Sequence, residues 1–132
     1  MRRPVGVLPG GTPVLGLGDV VVQNDPITGQ GANTAAKAAD HCLTAILAHQ
    51  GLFDAVWMTG VFESFWRLHG QAATDWTNLM LGPPPQHVQQ LLGAAAQHQV
   101  VADRLANGFA DPSDFGDWFL TAEKADAYLS SL

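Results

Sequence analysis

The stretch Gly18 to Asn33 constrains the fold of this chain more than any other. It reads Gly-Asp-Val-Val-Val-Gln-Asn-Asp-Pro-Ile-Thr-Gly-Gln-Gly-Ala-Asn. A β-rich run, Val14, Leu15 and Leu17, leads into Gly18-Asp19, and a Gly-Gln-Gly turn at Gly29 to Gly31 opens an Ala-rich helical pattern. A strand that stops at a carboxylate, beside a helix that begins on glycines, builds a polar pocket. The carboxylate accepts hydrogen bonds from sugar hydroxyls, and the free amides at the positive helix end hold an anion or an electron-rich oxygen. The remainder of the chain reads as helix that supports this segment.

Upstream, Val5 to Leu8 and Val14 to Leu17 are β-like runs flanking Pro9-Gly10-Gly11-Thr12-Pro13, which predicts a hairpin. Two strands alone are marginal in water, so the pair needs neighbours. From Gly31 to about Gln50, residues Ala32, Ala35, Ala36, Ala39, Leu43, Ile46 and Leu47 recur at helical spacing, with Gly51 placed to end the helix. A second helical run from Leu52 to about Leu81 carries Phe53, Trp57, Val61, Phe65, Leu68, Ala72, Trp76 and Leu79. A helix of that length spans about 45 Å, so it either bends near Gly70 or braces a larger body. Gly82-Pro83-Pro84-Pro85 stops it. A third helix is expected from about Pro85 to Ala106, with Val88, Leu91, Leu92, Ala95, Val100 and Leu105 inward and Asn107-Gly108 as its end. Asp111-Pro112 predicts an N-cap with proline in the first turn of a short helix through Phe119, and Thr121 caps a last helix to Leu129. The expected class is α+β, mostly α: an N-terminal β-hairpin followed by four to five helices.

Gly18-Asp19, Pro26, Gly29-Gln30-Gly31 and Asn33 together resemble the second flavin-binding motif of FAD-dependent aromatic monooxygenases. The fuller string from Leu17 to Asn33 is similar to that of the styrene and indole monooxygenases. Downstream blocks also resemble that branch: Phe53 to Met58, Asp75 to Asn78, Pro83 to Val88 and Ala106 to Pro112. The resemblance implies a truncated flavin-monooxygenase fold, the C-terminal portion of the family's longer chain. The hairpin would be the remnant of a larger sheet. Residues 1–50 would then be the end of an FAD-binding domain and residues 51–132 a helical substrate-domain region. The family's first motif, Gly-x-Gly-x-x-Gly after an N-terminal strand, binds the FAD pyrophosphate and has no counterpart among these residues. This chain alone is therefore expected to be inactive and to bind FAD weakly or not at all.

By the same resemblance Gly18, Asp19, Pro26, Gly29, Gln30, Gly31, Ala32 and Asn33 contact FAD. Asp19 bonds the ribityl chain, and the amides of Gly31 to Asn33 meet the pyrimidine edge. Ile27 helps line the place where oxygen and substrate meet. Read by themselves, Asp19 also suits a loop carboxylate, Gly29 and Gly31 a plain glycine turn, and Ile27 core filler. The implied activity is that of a flavoprotein oxidoreductase: epoxidation of an aryl alkene or indole with reduced FAD and O2. The flavin carries the hard step, so no catalytic side chain is nominated. The implied partners are a flavin reductase component, a small aromatic substrate and the segment bearing the pyrophosphate site. Two other readings stand beside this one. One is a non-enzymatic helical association module with a relict flavin motif, and the other a small phosphate-binding domain built on the Gly-Gln-Gly helix start.

Composition narrows the classes further. A net charge of −6 argues against nucleic acid, since phosphate binding needs basic patches and only Arg2-Arg3 cluster. No apolar run is long enough to span a bilayer, and no signal-peptide pattern precedes the hairpin, so a cytoplasmic, non-membrane protein is expected. A lone cysteine, Cys42, makes no internal disulfide and reads as a small buried hydrophobe. His41, His49, His69, His87 and His98 form no ligand-spaced pair, so no metal site is expected. Trp57 and Trp76 lie on the apolar stripe and are expected in the core. An exposed apolar patch is expected around the N-terminal strands, where a larger body would cover them.

Overall fold

The computed structural model describes all 132 residues. Val5–Val7 (β1) and Pro13–Leu15 (β2) pair antiparallel with Val5 opposite Leu15, Gly6 opposite Val14 and Val7 opposite Pro13. The Pro-Gly-Gly turn between them closes through Leu8, whose amide donates to the Thr12 carbonyl at 2.9 Å, with Gly11 in the left-handed region at φ 84°. The sheet has only these two strands. A 3₁₀ turn at Gly18–Val20 and another at Pro26–Thr28 lead into helix α1, Gln30–Ala48. Then come α2 (Ala55–Phe65), a π turn (Trp66–Gly70) and α3 (Gln71–Met80). Next are α4 (Gln86–Ala95), α5 (Gln99–Ala110), a 3₁₀ segment (Pro112–Asp117) and α6 (Ala122–Leu129). The class is α+β, mostly α. Helical backbone angles run unbroken from α2 through the π turn into α3. The six α-helices therefore form five rods.

Side-chain caps set several of the helical starts. The Asp54 carboxylate accepts from the Trp57 amide at 2.8 Å and opens α2. Asp111 accepts from the Ser113 amide with Pro112 behind it, and the Thr121 hydroxyl accepts from the Lys124 amide to open α6. These satisfy donors that a helix end otherwise leaves unpaired. Gly70 marks the π turn because a Cβ there would meet the Trp66 ring at 2.7 Å and the Phe65 ring at 3.3 Å.

Two apolar clusters hold the chain together. The first gathers Val21, Val22, Ala38, Phe62 and Phe65, so α1 and α2 close over the segment after the hairpin. The second is built from Trp76, Val88, Leu91, Val101, Phe115, Trp118, Phe119 and Ala125, drawing on α3 to α6. Phe115 is its centre, stacked on Phe119 at 4.8 Å and edge-on to Trp76 at 4.8 Å. Full burial of each such aromatic contributes on the order of 1.5–3 kcal/mol.

Several sequence expectations are corrected here. The helix expected over 85–106 is two helices, broken where His98 is extended (φ −124°, ψ 111°). Restarting the helix resets its phase. Val101 is consequently the buried residue and Val100 is 59% exposed; in α4, before the break, Leu92 is 43% exposed while Val88 and Leu91 are buried. Asn107-Gly108 does not end α5, which runs on to Ala110. Gly108 is buried against Phe115, whose ring would overlap any Cβ placed there. α1 ends at Ala48, before Gly51, on an extended His49. Leu68 faces solvent because the π turn shifts the phase after Phe65. Trp76 is in the core as expected, while Trp57 is half-buried in a surface cluster with His49 (4.9 Å) and Phe53 (4.9 Å).

The buried face of α1 is Gln30, Thr34, Ala38 and Cys42. Ala32, Ala36, Ala39, Leu43, Ile46 and Leu47, which recur at helical spacing, are all exposed.

Candidate functional site

The site segment is shaped by two glycines. Gly18 (φ 59°) and Gly29 (φ 67°) both hold left-handed backbone that other residues rarely adopt. Gly18 also lies against α1: a Cβ there would stand 3.2 Å from the Ala35 Cβ. That contact sets Gly18-Asp19 beside the second turn of α1. The Gly18 carbonyl accepts from the Val21 and Val22 amides at 3.0 and 2.9 Å, which fixes the turn. Asp19 itself is exposed, and no protein donor reaches its carboxylate.

Asp25 accepts from the Ile27 amide at 3.0 Å and caps the Pro26–Thr28 turn, which Gly29 closes. No side chain caps the start of α1. Its first-turn amides therefore have no side-chain partner in the chain. Open space lies where side chains at Gly29 and Gly31 would stand. Ile27 is 56% exposed, so it is not core filler.

Gln30 and Asn33 turn their side chains to the protein. Gln30 is 2% exposed, and its Nε2 donates to the Phe109 carbonyl at 2.9 Å, while its Oε1 accepts from Asn33 Nδ2 at 3.1 Å. Asn33 Nδ2 also donates to the Ala110 carbonyl at 2.9 Å. Both amide side chains thus serve the last carbonyls of α5, and the Asp19 carboxylate and the main-chain groups of the motif remain for a ligand. Lys37, one turn further, pairs with Asp111 at 3.0 Å and extends the tie. Beneath it the Thr28 and Thr77 hydroxyls are 2.7 Å apart, and Thr77 donates to the Ala73 carbonyl, so Thr28 is the donor between them. Thr28, Lys37, Thr77 and Phe109 were not singled out from the sequence, since partners so distant in sequence leave no local pattern.

None of the principal cavities is lined by Asp19 or by Gly29 to Asn33. Gly18 and Thr34 help line a small apolar hollow, and Pro26 opens on a polar hollow of about 400 Å³ walled also by Gln23, Asn24, Asp25, Thr77 and Asn78. Apart from the buried Gln30, the predicted site residues lie on an open surface. Elsewhere, no three His, Cys, Asp or Glu side chains converge to hold a metal ion. His69 lies 6.4 Å from His41 across the α1–π-turn contact, and burial, then nearby Lys37, pushes its pKa down.

Comparison with known proteins supplies the context for this surface. The chain is 33% identical over 124 residues to the styrene monooxygenase StyA of Pseudomonas fluorescens, covering 89% of this chain and 28% of that protein. It is 32% identical over 127 residues to the styrene monooxygenase StyA of a Pseudomonas species, covering 91% and 29% respectively. The chain matches the C-terminal portion of a styrene monooxygenase-like protein. It spans under a third of the length of these styrene monooxygenases. No family model matches it. The styrene monooxygenase match takes in nearly the whole chain, so it includes most of the fold described above. No helix is long and apolar enough to cross a membrane.

Proposed function

We propose that these residues provide one wall of an FAD site in a styrene/indole-type monooxygenase. The observation that carries the reading is the juxtaposition of Gly18-Asp19 with an uncapped α1, inside a segment that matches styrene monooxygenases. The residues fit a flavin. Asp19 is an unpartnered acceptor for ribityl hydroxyls, and the Gly29 to Asn33 main chain gives amides with open space before them. Partial positive charge at the α1 start favours negative charge on a reduced ring. Pro26 and the exposed Ile27 would flank the ring and substrate. When bound, reduced FAD with O2 would supply the oxygen transfer to an aryl alkene or indole. This chain's residues bind, orient and exclude water. A flavin reductase would deliver the reduced cofactor, in the cytoplasm. The residues for the pyrophosphate end would come from outside residues 1–132, so the chain by itself would be inactive.

The test is flavin retention. The chain is co-expressed with the part of the P. fluorescens enzyme outside the match, and bound FAD is read by fluorescence quenching. FAD is expected to be retained by the pair, and Asp19→Ala to weaken binding about tenfold, the loss of one or two hydrogen bonds to a charged group. A complex that forms but holds no FAD, or holds it equally well with Asp19→Ala, refutes the assignment. It would then favour the relict association module.

A further inference from the structure

α1 packs one face on its own chain and carries an apolar stripe on another. One face, through Thr34, Ala38 and Cys42, meets the chain's own Val61, Phe62 and Phe65 region. On the other side, Ala32, Ala36, Ala39, Leu43, Ile46 and Leu47 fill an arc about 100° wide at 100° per residue. Every helix position in that arc is Ala, Leu or Ile. Leu43, Ile46 and Leu47 are 54%, 42% and 74% exposed. A helix of a finished globule turns a polar face to water, and a helix apolar all round belongs inside a larger body. α1 gathers Asn33, Lys37, Asp40, His41 and Thr44 into one polar arc and leaves the second apolar arc uncovered.

The neighbouring elements point the same way. The 3₁₀ turn on α1 exposes Leu17 and Val20, and the hairpin exposes Val7, Leu8 and Val14. With two strands only, β1 and β2 each keep an open edge whose backbone groups lack a strand partner. Small residues at the start of the α1 stripe permit close approach of a flat surface, and large ones at its end fill space further out. A sheet that continues β1 or β2 and lays its face on α1 satisfies all of these features together.

We infer that the outer face of α1 and the open hairpin are the seat of a sheet-bearing polypeptide equivalent to the unmatched portion of the styrene monooxygenases. This rests on the functional reading above. The reason for choosing this occupant over a second copy is that the relatives align through this same face. They carry more than two thirds of their length outside the match, and that length must pack on something. A second copy would bring another hairpin but no sheet to cover the alanine half of the stripe.

The experiment needs no flavin, so its outcome is independent of FAD binding. The full chain is analysed by sedimentation alone, then after co-expression with the unmatched portion of the P. fluorescens enzyme. The expected result is a chain that co-purifies with that portion at one to one. The pair Leu43→Asp and Leu47→Asp should weaken the association roughly a hundredfold, since it buries two unpaired charges. It should leave the far-UV circular dichroism of the chain unchanged, because both positions are exposed in it. Val100→Asp, on α5, should leave the association intact. A dimer of the chain that the Leu43/Leu47 pair disperses assigns the face to a second copy and overturns the inference. Co-purification that survives the pair, or none at all, overturns it equally.

Discussion

Gly108 shows how much one missing methyl decides. The Phe115 ring lies where a Gly108 Cβ would stand, and Phe115 is fully buried at the centre of the second cluster. Gly108→Ala therefore forces the ring out of its stack with Phe119. It should destabilise the protein by about 1–3 kcal/mol, as overpacking does. Gly60→Ala and Gly93→Ala put the same methyl into open space on exposed helix positions. They should stabilise by about 0.5–1 kcal/mol through helix propensity. Urea denaturation of the three variants gives the comparison, and a neutral Gly108→Ala would contradict the packing described. The residue pattern around Gly108 reads as a helix stop because Asn-Gly usually is one. Phe115 is seven residues away, and no local rule places its ring on that glycine.

At the level of elements, the tie between α1 and α5 holds the motif in place. Gln30→Ala removes the donor to the Phe109 carbonyl and the acceptor for Asn33 together, at a site that is 2% exposed. A loss of about 1–3 kcal/mol is expected from the unpaired buried groups. Gln30→Glu, which keeps the acceptor but loses the donor, should also destabilise. Thermal unfolding monitored at 222 nm checks both. The elements themselves were largely legible. The hairpin, the caps at Asp111 and Thr121 and the stop at Gly82 to Pro85 depend on residues within three or four positions. The break between α4 and α5 was not legible, because Ala96, Gln97 and His98 include neither glycine nor proline. Tertiary packing imposes it: α4 and α5 each turn a valine, Val88 and Val101, into one shared cluster. The motif glycines were legible as turn formers, whereas the fate of the Gln30 and Asn33 side chains depended on carbonyls nearly eighty residues on.

For the whole molecule, acid should act in two steps. Burial, then Lys37, lowers the His69 pKa, so the folded state takes up its proton less readily than the unfolded chain. Stability from this group is present above about pH 6.5, the unfolded value, and is lost as pH falls through the lower folded one. Hydrogen bonds from Arg104 hold the Asp114 carboxyl below its usual range. The guanidinium donates through Nε and Nη2 at 2.7 and 2.6 Å, and Trp118 adds a third donor at 2.9 Å. That stability is present above about pH 4 and is lost as pH falls through the depressed value. Urea midpoints measured from pH 3 to pH 8 (an interval chosen to bracket both ordinary values) should fall in both windows. His69→Gln should flatten the upper window and Asp114→Asn the lower. Arg104 also stands 5.0 Å from the Trp118 ring and 4.9 Å from the Tyr128 ring, so the lower step acts on the second cluster. Which side of α1 the chain covers was not legible in the sequence, because periodicity reports an apolar arc without saying which body covers it. The π turn has the widest reach. Its additional residue rotates every later position of the rod by about 100°. Phe62 and Phe65 before it point into one cluster and Trp76 after it into the other. A single rod is thus the shared axle of two cores, each keyed to a different side of it.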